Sequence, residues 1–580
     1  MTQTATNKKH LLTVLVEDYF HVGAFENLIQ QRNWTNFEPR YEKNTLKALD
    51  LLDEFGKKAT FFVLGWIAEQ NPKLVREIVR RGHEVASRGF YHRSLKNLTD
   101  EEFREDVRRT NRVLEEASGQ KIVGYRAAEK LSFEKDAWIL NILAEENLLY
   151  DASFLPTAKD AKAKRLAHRH HAGGKAIWEF PYSTTNVGVG LLPISGGNYL
   201  RQIPHTLMRH AVEDWHTRFD APFVLYFHVW ELDPEQPRIS AASRYNRVRH
   251  YRKLDKMEWV LKEYLRKYDF AGGAEFLGVA GELRITNYEL REEKPILEIA
   301  ESKIQNPKSK ITIVIPCYNE EAALPYLANT LRSVEEDLSE RYEPHLIFVD
   351  DASRDETFNK LEELFGKNEN VRIVRHKKNQ GVAAGIMTGL EAAQTEIVCS
   401  MDCDCTYDPH ELKKMIPLLG ADVDMVTASP YHAQGGVRNV PDWRLFLSKG
   451  ASFLYRRALR TKLSTYTSCF RVYRRSSVVD LPIEEKGFLG VAEMLGKLAL
   501  RGGRIIEYPA VLEVRLFGFS KMKTARTIFG HLKLLSRLSK ERLFGKSGAI
   551  ETSLKIETSL KEENLEVISK EGKLAANKRR

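Results

Sequence analysis

Two short apolar runs in the second half of the chain each end in carboxylates. His345–Val349 leads into Asp350 and Asp351, and Ile397–Met401 leads into Asp402 and Asp404. A short apolar run closed by polar residues reads as a buried strand. The two runs lie about fifty positions apart, the spacing of two βα units. In open α/β sheets, ligands sit beyond the carboxyl ends of strands, and both acidic clusters fall there. Grouped carboxylates suit a hard divalent cation, Mg²⁺ or Mn²⁺. A cation held in that place suits an anionic ligand such as a nucleotide-sugar diphosphate.

At 580 residues the chain is longer than one core serves, so at least two domains are expected. Strand-like and helical patterns alternate over residues 11–285, as in Leu11–Val16, Lys58–Leu64 and Pro222–His228. Residues 1–10 form a tail, and residues 286–310, rich in Glu and Lys, read as a linker. A second α/β region spans 311–525. Residues 526–580 hold a basic helix and a low-complexity tail, in which Ile550–Lys555 is repeated as Ile556–Lys561.

Hydrophobic content of 43% and charged content of 29% fit a soluble globular protein. No run of about 18 uncharged apolar residues predicts a transmembrane helix. The first residues lack the apolar core of a signal peptide, so a cytoplasmic location is expected. Cys317, Cys399, Cys403, Cys405 and Cys469 make neither a zinc knuckle nor a secreted disulfide framework. The net charge is +10. The stretch Lys521–Leu538 reads as an amphipathic basic helix, suited either to peripheral contact with an anionic membrane at its inner face or to a solvated terminal position. No nucleic-acid recognition module is visible, so a nucleic-acid partner is not expected.

Local chemistry adds expectations for the second region. Pro316 should end the strand that begins at Ile311, and Asn319, Glu320 and Glu321 should open a helix. Ser353 is placed to N-cap the helix after Asp350 and Asp351. The glycines of Asn379–Gly389 should admit a ligand close to the backbone.

Four stretches occur in order: Pro316-x-Tyr318-Asn319-Glu320, Asp350-Asp351-x-Ser353-x-Asp355-x-Thr357, Asn379-x-Gly381 and Asp402-x-Asp404. Together they resemble the family 2 glycosyltransferases, and within them the dolichyl- and polyprenyl-phosphate sugar transferases. The resemblance implies a GT-A doubly wound α/β domain and inverting transfer. It implies that Pro316, Tyr318, Glu320, Asp350 and Asp351 line the nucleotide pocket. Asp402 and Asp404 would hold the metal that bridges the diphosphate. Arg444 and Arg471, in stretches similar to the family's acceptor region, would grip phosphates with their guanidinium forks. Arg515 and Lys521 resemble the element that covers the donor. Thr465 stands where the polyprenyl-phosphate branch has Asp, and Cys469 replaces a Gly. The acceptor is therefore a polyprenyl phosphate, which needs no base, or a glycan hydroxyl, which does. Glu493 is the candidate base; its other reading is a helix-surface carboxylate.

The first region carries Val16-Glu17-Asp18-Tyr-Phe-His21, Arg88-Gly-Phe-Tyr-His92, Gly124-Tyr-Arg126 and Leu225–Arg238. These resemble the polysaccharide deacetylases, in the branch that accompanies bacterial exopolysaccharide clusters. The resemblance implies a distorted (β/α) barrel and a Zn²⁺ or other divalent metal on one Asp and two His. An Asp base and a His acid would then serve attack of water on an N-acetyl carbonyl. Here the base position is Leu15, the first His of His-Gly-x-x-His is Arg88, and Arg-x-Pro reads Arg126-Ala-Ala128. Asp18 and His92, with Glu17 and His21, remain as candidate ligands, and His228 as the acid. A guanidinium is permanently charged and cannot ligate a metal. The expectation is a salt bridge from Arg88 to Asp18 or Glu17 and a degenerate, metal-free domain. Tyr91, Tyr226 and Trp230 are candidate glycan-binding walls, Tyr226 more simply core. Two alternatives stand beside a transferase with an inert partner domain: a bifunctional N-deacetylase and glycosyltransferase, and a non-catalytic glycan-binding scaffold.

Overall fold

A computed structural model describes residues 8–172, 174–188, 190–285, 308–518 and 524–544. The chain divides into two compact units, Met1–Ser302 and Lys303–Arg580. Most of the expected linker, Lys521 and the repeat-bearing tail lie outside the described residues.

The first unit is built on β1 (Lys9–Val16), β2 (Thr60–Val63), β3 (Glu84–Ser87), β4 (Gly124–Tyr125), β5 (Tyr150–Asp151), β6 (His168–Ala172), β7 (Lys175–Glu179), β8 (Thr184–Asn186), β9 (Leu191–Pro193), β10 (Val224–His228) and β11 (Asp269–Ala271). The large sheet runs β10-β1-β2-β3-β4-β5-β7-β6, with β11 also paired to β1. Every pair except β6–β7 is parallel. The ladder does not close on itself; β8 and β9 form a separate hairpin, and an isolated Gly196–Tyr226 bridge fastens the chain after it to β10. The result is an open, distorted α/β barrel. Alternate residues of β1 serve two cores, as the two-residue period of a strand dictates. Leu12, Val14 and Val16 pack toward the helices, and Leu11 and Leu15 pack inside with Phe62, Tyr150, Phe180 and Tyr226. The long helix Asp100–Ser118 shows why these elements are legible. Thr99 and Glu102 form a reciprocal capping box, and Gly119 ends the helix at φ 68°.

The second unit contains β12 (Ser309–Cys317), β13 (Tyr342–Asp350), β14 (Val371–Arg375), β15 (Ile397–Ser400), β16 (Met425–Ser429), β17 (Gly436–Arg438), β18 (Arg471–Arg474), β19 (Ile505–Pro509) and β20 (Val511–Glu513). The main sheet runs β14-β13-β12-β15-β18-β16-β19, with β18 alone antiparallel to its neighbours. β17 pairs with β20. Ile311, Ile313 and Ile315 face one core, and Val314, Ile347 and Val349 the other, so the sheet is covered on both faces. This is a doubly wound α/β domain. The strand order reverses at β12, which opens a crevice beyond the carboxyl ends of β12 and β15.

Three local expectations are corrected. Pro316 does not end the ladder; β12 continues through its pairing with Val349 to Cys317. The next helix begins only at Leu324, because Asn319, at φ 51°, and the residues after it form a turn. Ser353 does not cap the helix Thr357–Phe365. Its hydroxyl accepts the amide of Asn319 at 2.9 Å, while Asp355 accepts the amide of Thr357 at 3.1 Å.

Candidate functional site

The crevice of the second unit is walled by three turns, each containing a non-glycine residue in the left-handed region: Asn319 after β12, Ala352 after β13 and Cys405 after β15. Such conformations are costly and gather where surrounding structure enforces them. The enforcement is visible. Asn319 Oδ1 accepts the amide of Arg354 at 2.7 Å, Thr357 Oγ1 accepts the amide of Glu320 at 2.7 Å, and Asp350 accepts the amide of Ser353 at 3.1 Å. The two motif turns thus lock one another.

The crevice brings Glu320, Asp402 and Asp404 to one cation. Arg515 Nε donates to Asp404, and its Nη2 lies 3.0 Å from Glu320 Oε1. Asp402 is buried beside them. Burial raises its pKa to about 7, the charge of Asp404 adds to this, and Arg515 opposes it. The Cys469 thiol lies beside Asp402 and helps hold that carboxyl's pKa down, a neighbour that its replacement of a glycine did not foretell. Carboxylate oxygens are the donors a hard divalent cation takes, but here Arg515 stands among them.

The other predicted residues divide. Pro316 lies in the last pairs of β12 and Tyr318 follows the strand's end. Asp350 is sealed and lies 3.0 Å from Arg375 Nε. Asp351 supports the next loop: its carboxylate accepts the amides of Gln380 and Gly381 at 2.8 and 2.7 Å and meets His376 Nδ1 at 2.7 Å. Those bonds use its carboxylate within the protein, so it does not face a ligand. The glycines nearby also serve protein contacts. A Cβ on Gly381, at φ 104°, would meet Gly487 Cα at 2.7 Å, and one on Gly389 would meet Val314 at 2.1 Å.

Two candidates are corrected outright. Arg471 is fully buried and donates to the carbonyls of Val491 and Tyr466 at 2.8 and 2.9 Å, so it grips backbone rather than phosphate. Glu493 is neither a base facing the crevice nor a surface carboxylate. It is 0% exposed, accepts the amides of Glu484 and Glu485, and pairs with Arg537 at 2.8 Å and Lys497 at 3.1 Å. Arg444 is exposed at the start of the helix Asp442–Leu459, 5.3 Å from the Trp443 ring. Lys521 is outside the described residues.

In the first unit the hub is Glu17, at the end of β1. Arg88 Nε donates to it at 2.8 Å, His228 Nδ1 lies 2.5 Å away and His92 Nε2 lies 3.4 Å away. Burial by itself would raise the Glu17 pKa; Arg88, then His228 and His92, outweigh it and hold the carboxyl well below its usual range. Asp18, the expected metal carboxylate, is used elsewhere: it accepts the amides of Tyr19, Arg40 and Tyr41. His21 Nδ1 accepts the amide of Asp18 at 2.9 Å. Asp18 and His92 are therefore not presented together as a metal site. Among the described residues no group of three or more His, Cys, Asp or Glu side chains is arranged so that it could hold a metal ion. In the second unit Arg515 occupies the space between the carboxylates.

Residues 312–481 match the family described as glycosyl transferase family 2. Residues 29–141 match polysaccharide deacetylase, and residues 152–277 match a domain of unknown function, DUF3473. The chain thus joins a polysaccharide deacetylase domain to a family 2 glycosyltransferase domain. Over 235 residues it is 31% identical to a dolichol-phosphate mannosyltransferase of Pyrococcus furiosus, covering 40% of this chain and 64% of that relative's length. It is 27% identical over 223 residues to a polyprenol monophosphomannose synthase of Mycolicibacterium smegmatis, covering 37% and 82%. The structure of a CE4 family pseudoenzyme from Bacillus anthracis aligns with 15% identity over 47% of this chain and 67% of that one, at a TM-score of 0.25.

Proposed function

We propose that the second unit transfers a sugar from a nucleotide diphosphate to a polyprenyl-phosphate or glycan acceptor in cell-surface polysaccharide or glycolipid synthesis. The observation that carries this reading is the convergence of Glu320, Asp402 and Asp404 on Arg515 at the switch point of a doubly wound sheet. Asp402 and Asp404 would hold Mg²⁺ or Mn²⁺, which when bound supplies charge stabilisation to a departing nucleoside diphosphate. Pro316, Tyr318 and Glu320 border the donor, and Arg515 covers it. The names of the two relatives favour a polyprenyl-phosphate acceptor. An acceptor that is already an anion fits a crevice whose candidate base, Glu493, is held in an internal ion-pair cluster.

A lipid acceptor also fits the surface. The helices Asp442–Leu459 and Thr524–Phe544 pack on one another and expose Trp443, Phe446, Phe453, Phe529 and Phe544 among Lys449, Arg456, Arg457 and Lys533. Among the described residues no helix is long and apolar enough to cross a membrane. We read this pair as resting on the anionic inner face of a membrane. The first unit serves as a companion without hydrolytic chemistry, since Arg88 and Leu15 remove a metal ligand and a base.

The test is turnover of a panel of nucleotide-sugars with Mg²⁺ or Mn²⁺, with and without polyprenyl phosphate, beside Asp404→Ala. Metal-dependent turnover of one donor, lost in the variant, supports the reading. No turnover with any donor and acceptor overturns it.

A further inference from the structure

Arg126 closes β4 and points into the interior of the first unit, where it is 1% exposed. Its Nη1 lies 3.3 Å from Thr13 Oγ1. Its Nε and Nη2 are buried and have no hydrogen-bond partner. Those two N–H groups are parallel and form the edge with which a guanidinium grips a carboxylate in two bonds. The rings of Tyr182 and Tyr226 flank the guanidinium at 4.7 and 4.5 Å. Ring faces offset part of its charge but accept neither N–H.

The nearby carboxylates make no hydrogen bond to Arg126, although Asp151 and Glu179 attract it through space. Glu17 is held by Arg88 and His228, and Glu231 by Arg201 at 2.7 Å. Asp151 accepts the amide and hydroxyl of Ser153 at 2.9 and 2.6 Å, and Glu179 Oε1 accepts the amide of Phe154 at 3.3 Å. Leu15, on the same face of β1 as Thr13, is apolar.

A second cation stands over the same tyrosine. Lys130 Nζ lies 5.5 Å from the centre of Tyr182 and 4.1 Å from that of Tyr199, and it donates to Tyr199 Oη at 2.8 Å. Among the described residues Lys130 has no salt-bridge partner. Burial, then Arg249 and Arg126, pushes its pKa down to about 7, as expected of an ammonium placed near other cations without an anion. Its flexible stem lets it swing away, whereas Arg126 is fixed by the rings around it. Two cations bordered by tyrosine faces, one with two unpaired N–H groups and the other with no salt-bridge partner among the described residues, form a receptor for an anion carried on a sugar ring.

We infer that the first unit binds a carboxylate-bearing saccharide, with the carboxylate between Arg126 and Lys130 and the ring against Tyr182 and Tyr199. This function is separate from the transferase reading and rests on the first unit alone. The deciding experiment is isothermal titration of the full chain with methyl glucuronide, methyl glucoside and inorganic phosphate, repeated on Arg126→Gln and Lys130→Gln. Circular dichroism confirms that each variant is folded, and Lys130, being only half-buried, is the safer of the two. Saturable glucuronide binding about tenfold tighter than either control, an increment of roughly 1.4 kcal/mol, is expected. Lys130→Gln should weaken it about tenfold and Arg126→Gln abolish it, with turnover by the second unit intact. Equal affinity for glucuronide and glucoside, or glucuronide binding that neither substitution changes, overturns the inference. Phosphate binding as tight as glucuronide overturns the saccharide part and leaves a plain anion site.

Discussion

Arg515 Nε donates directly to Asp404, and the same guanidinium reaches Glu320 at 3.0 Å. A divalent cation entering this site must compete with a charge already among its ligands. Arg515→Met should therefore raise the affinity for Mn²⁺, measured without nucleotide by electron paramagnetic resonance, by about tenfold, or 1.4 kcal/mol. Unchanged or weaker binding would show that the guanidinium and the metal do not share the carboxylates.

Glu493 poses a choice between chemistry and architecture. Its carboxylate is enclosed by Arg537, Lys497 and two backbone amides. Breaking a buried pair by removing one partner's charge costs about 3–5 kcal/mol. Glu493→Gln should lower the urea midpoint of the second unit and leave donor turnover per folded molecule within about threefold, a change of under 1 kcal/mol in the barrier. A variant with full stability and abolished turnover would restore Glu493 as the base.

The same reasoning applies to Arg88 and Glu17, whose side chains are 2% and 1% exposed. Arg88→Met leaves the Glu17 charge buried with two histidines, and a loss of about 3–5 kcal/mol is expected. Arg88→Lys should recover part of it, because Lys keeps the charge but not the donor to the Ala127 carbonyl. Equal stability of all three proteins in urea would mean that the pair does not hold the site together.

These cases show which parts of the site the amino-acid order displays. The places of Asp350, Asp402 and Asp404 at or just beyond strand ends were legible because an apolar run and the polar residue that ends it are adjacent in the chain. The Arg88–Glu17 pair was one of two salt bridges expected, but the convergence of His228 and His92 on Glu17 was not, because the motif drew attention to Asp18. What claims Asp18 is the pair of amides at Arg40 and Tyr41, more than twenty positions away and without a side-chain signature. Arg471 and Glu493 look like ligand-facing charges until distant partners are counted: Arg537 for one, the Val491 carbonyl for the other. The glycines of the Asn379–Gly389 stretch were read as admitting a ligand, but what approaches Gly381, Gly385 and Gly389 is the protein's own backbone and side chains. The barrel was legible as alternating strands and helices, whereas its failure to close depends on pairings across the whole unit.

Acid should unfold the first unit before the second. Burial lowers the pKa of His10 and His21 to about 3 and of His83 and His92 to about 4. In the second unit, burial lowers His531 to about 4. Each binds a proton in the unfolded chain below about pH 6.5 but not in the folded one until pH 3–4. The histidines' contribution is therefore full above about 6.5 and is lost as pH falls toward 4, by at most about 1.4 kcal/mol per pH unit for each, while Asp18, whose pKa burial raises to about 7, offsets part of that loss. Every tryptophan except Trp443 lies in the first unit, so tryptophan fluorescence follows it. The urea midpoint by that signal should fall between pH 7.5 and 5.0, and by more than the midpoint of the second unit. A midpoint independent of pH would contradict the neutral burial of these rings.

The exposed aromatics of the second unit give the last prediction. Phe446 and Phe529 are 78% and 74% exposed on helices joined by a hydrogen bond between Tyr455 and His531. A solvent-facing side of a helix gains nothing from such residues unless something covers them. The cations beside them, Lys449, Arg456, Arg457 and Lys533, add about 1 kcal/mol each near an anionic surface and lose that gain in salt. The full chain should sediment with vesicles of phosphatidylglycerol and phosphatidylcholine, less with phosphatidylcholine alone, and less in high salt. Burying a Phe side chain is worth about 1.5–3 kcal/mol. Phe446→Ser with Phe529→Ser should therefore weaken vesicle binding by at least about tenfold, even if each ring inserts only partly, without altering turnover of a soluble donor in the absence of lipid. Undiminished sedimentation of the double variant would remove these helices as the contact and leave the positive charge alone to account for any binding.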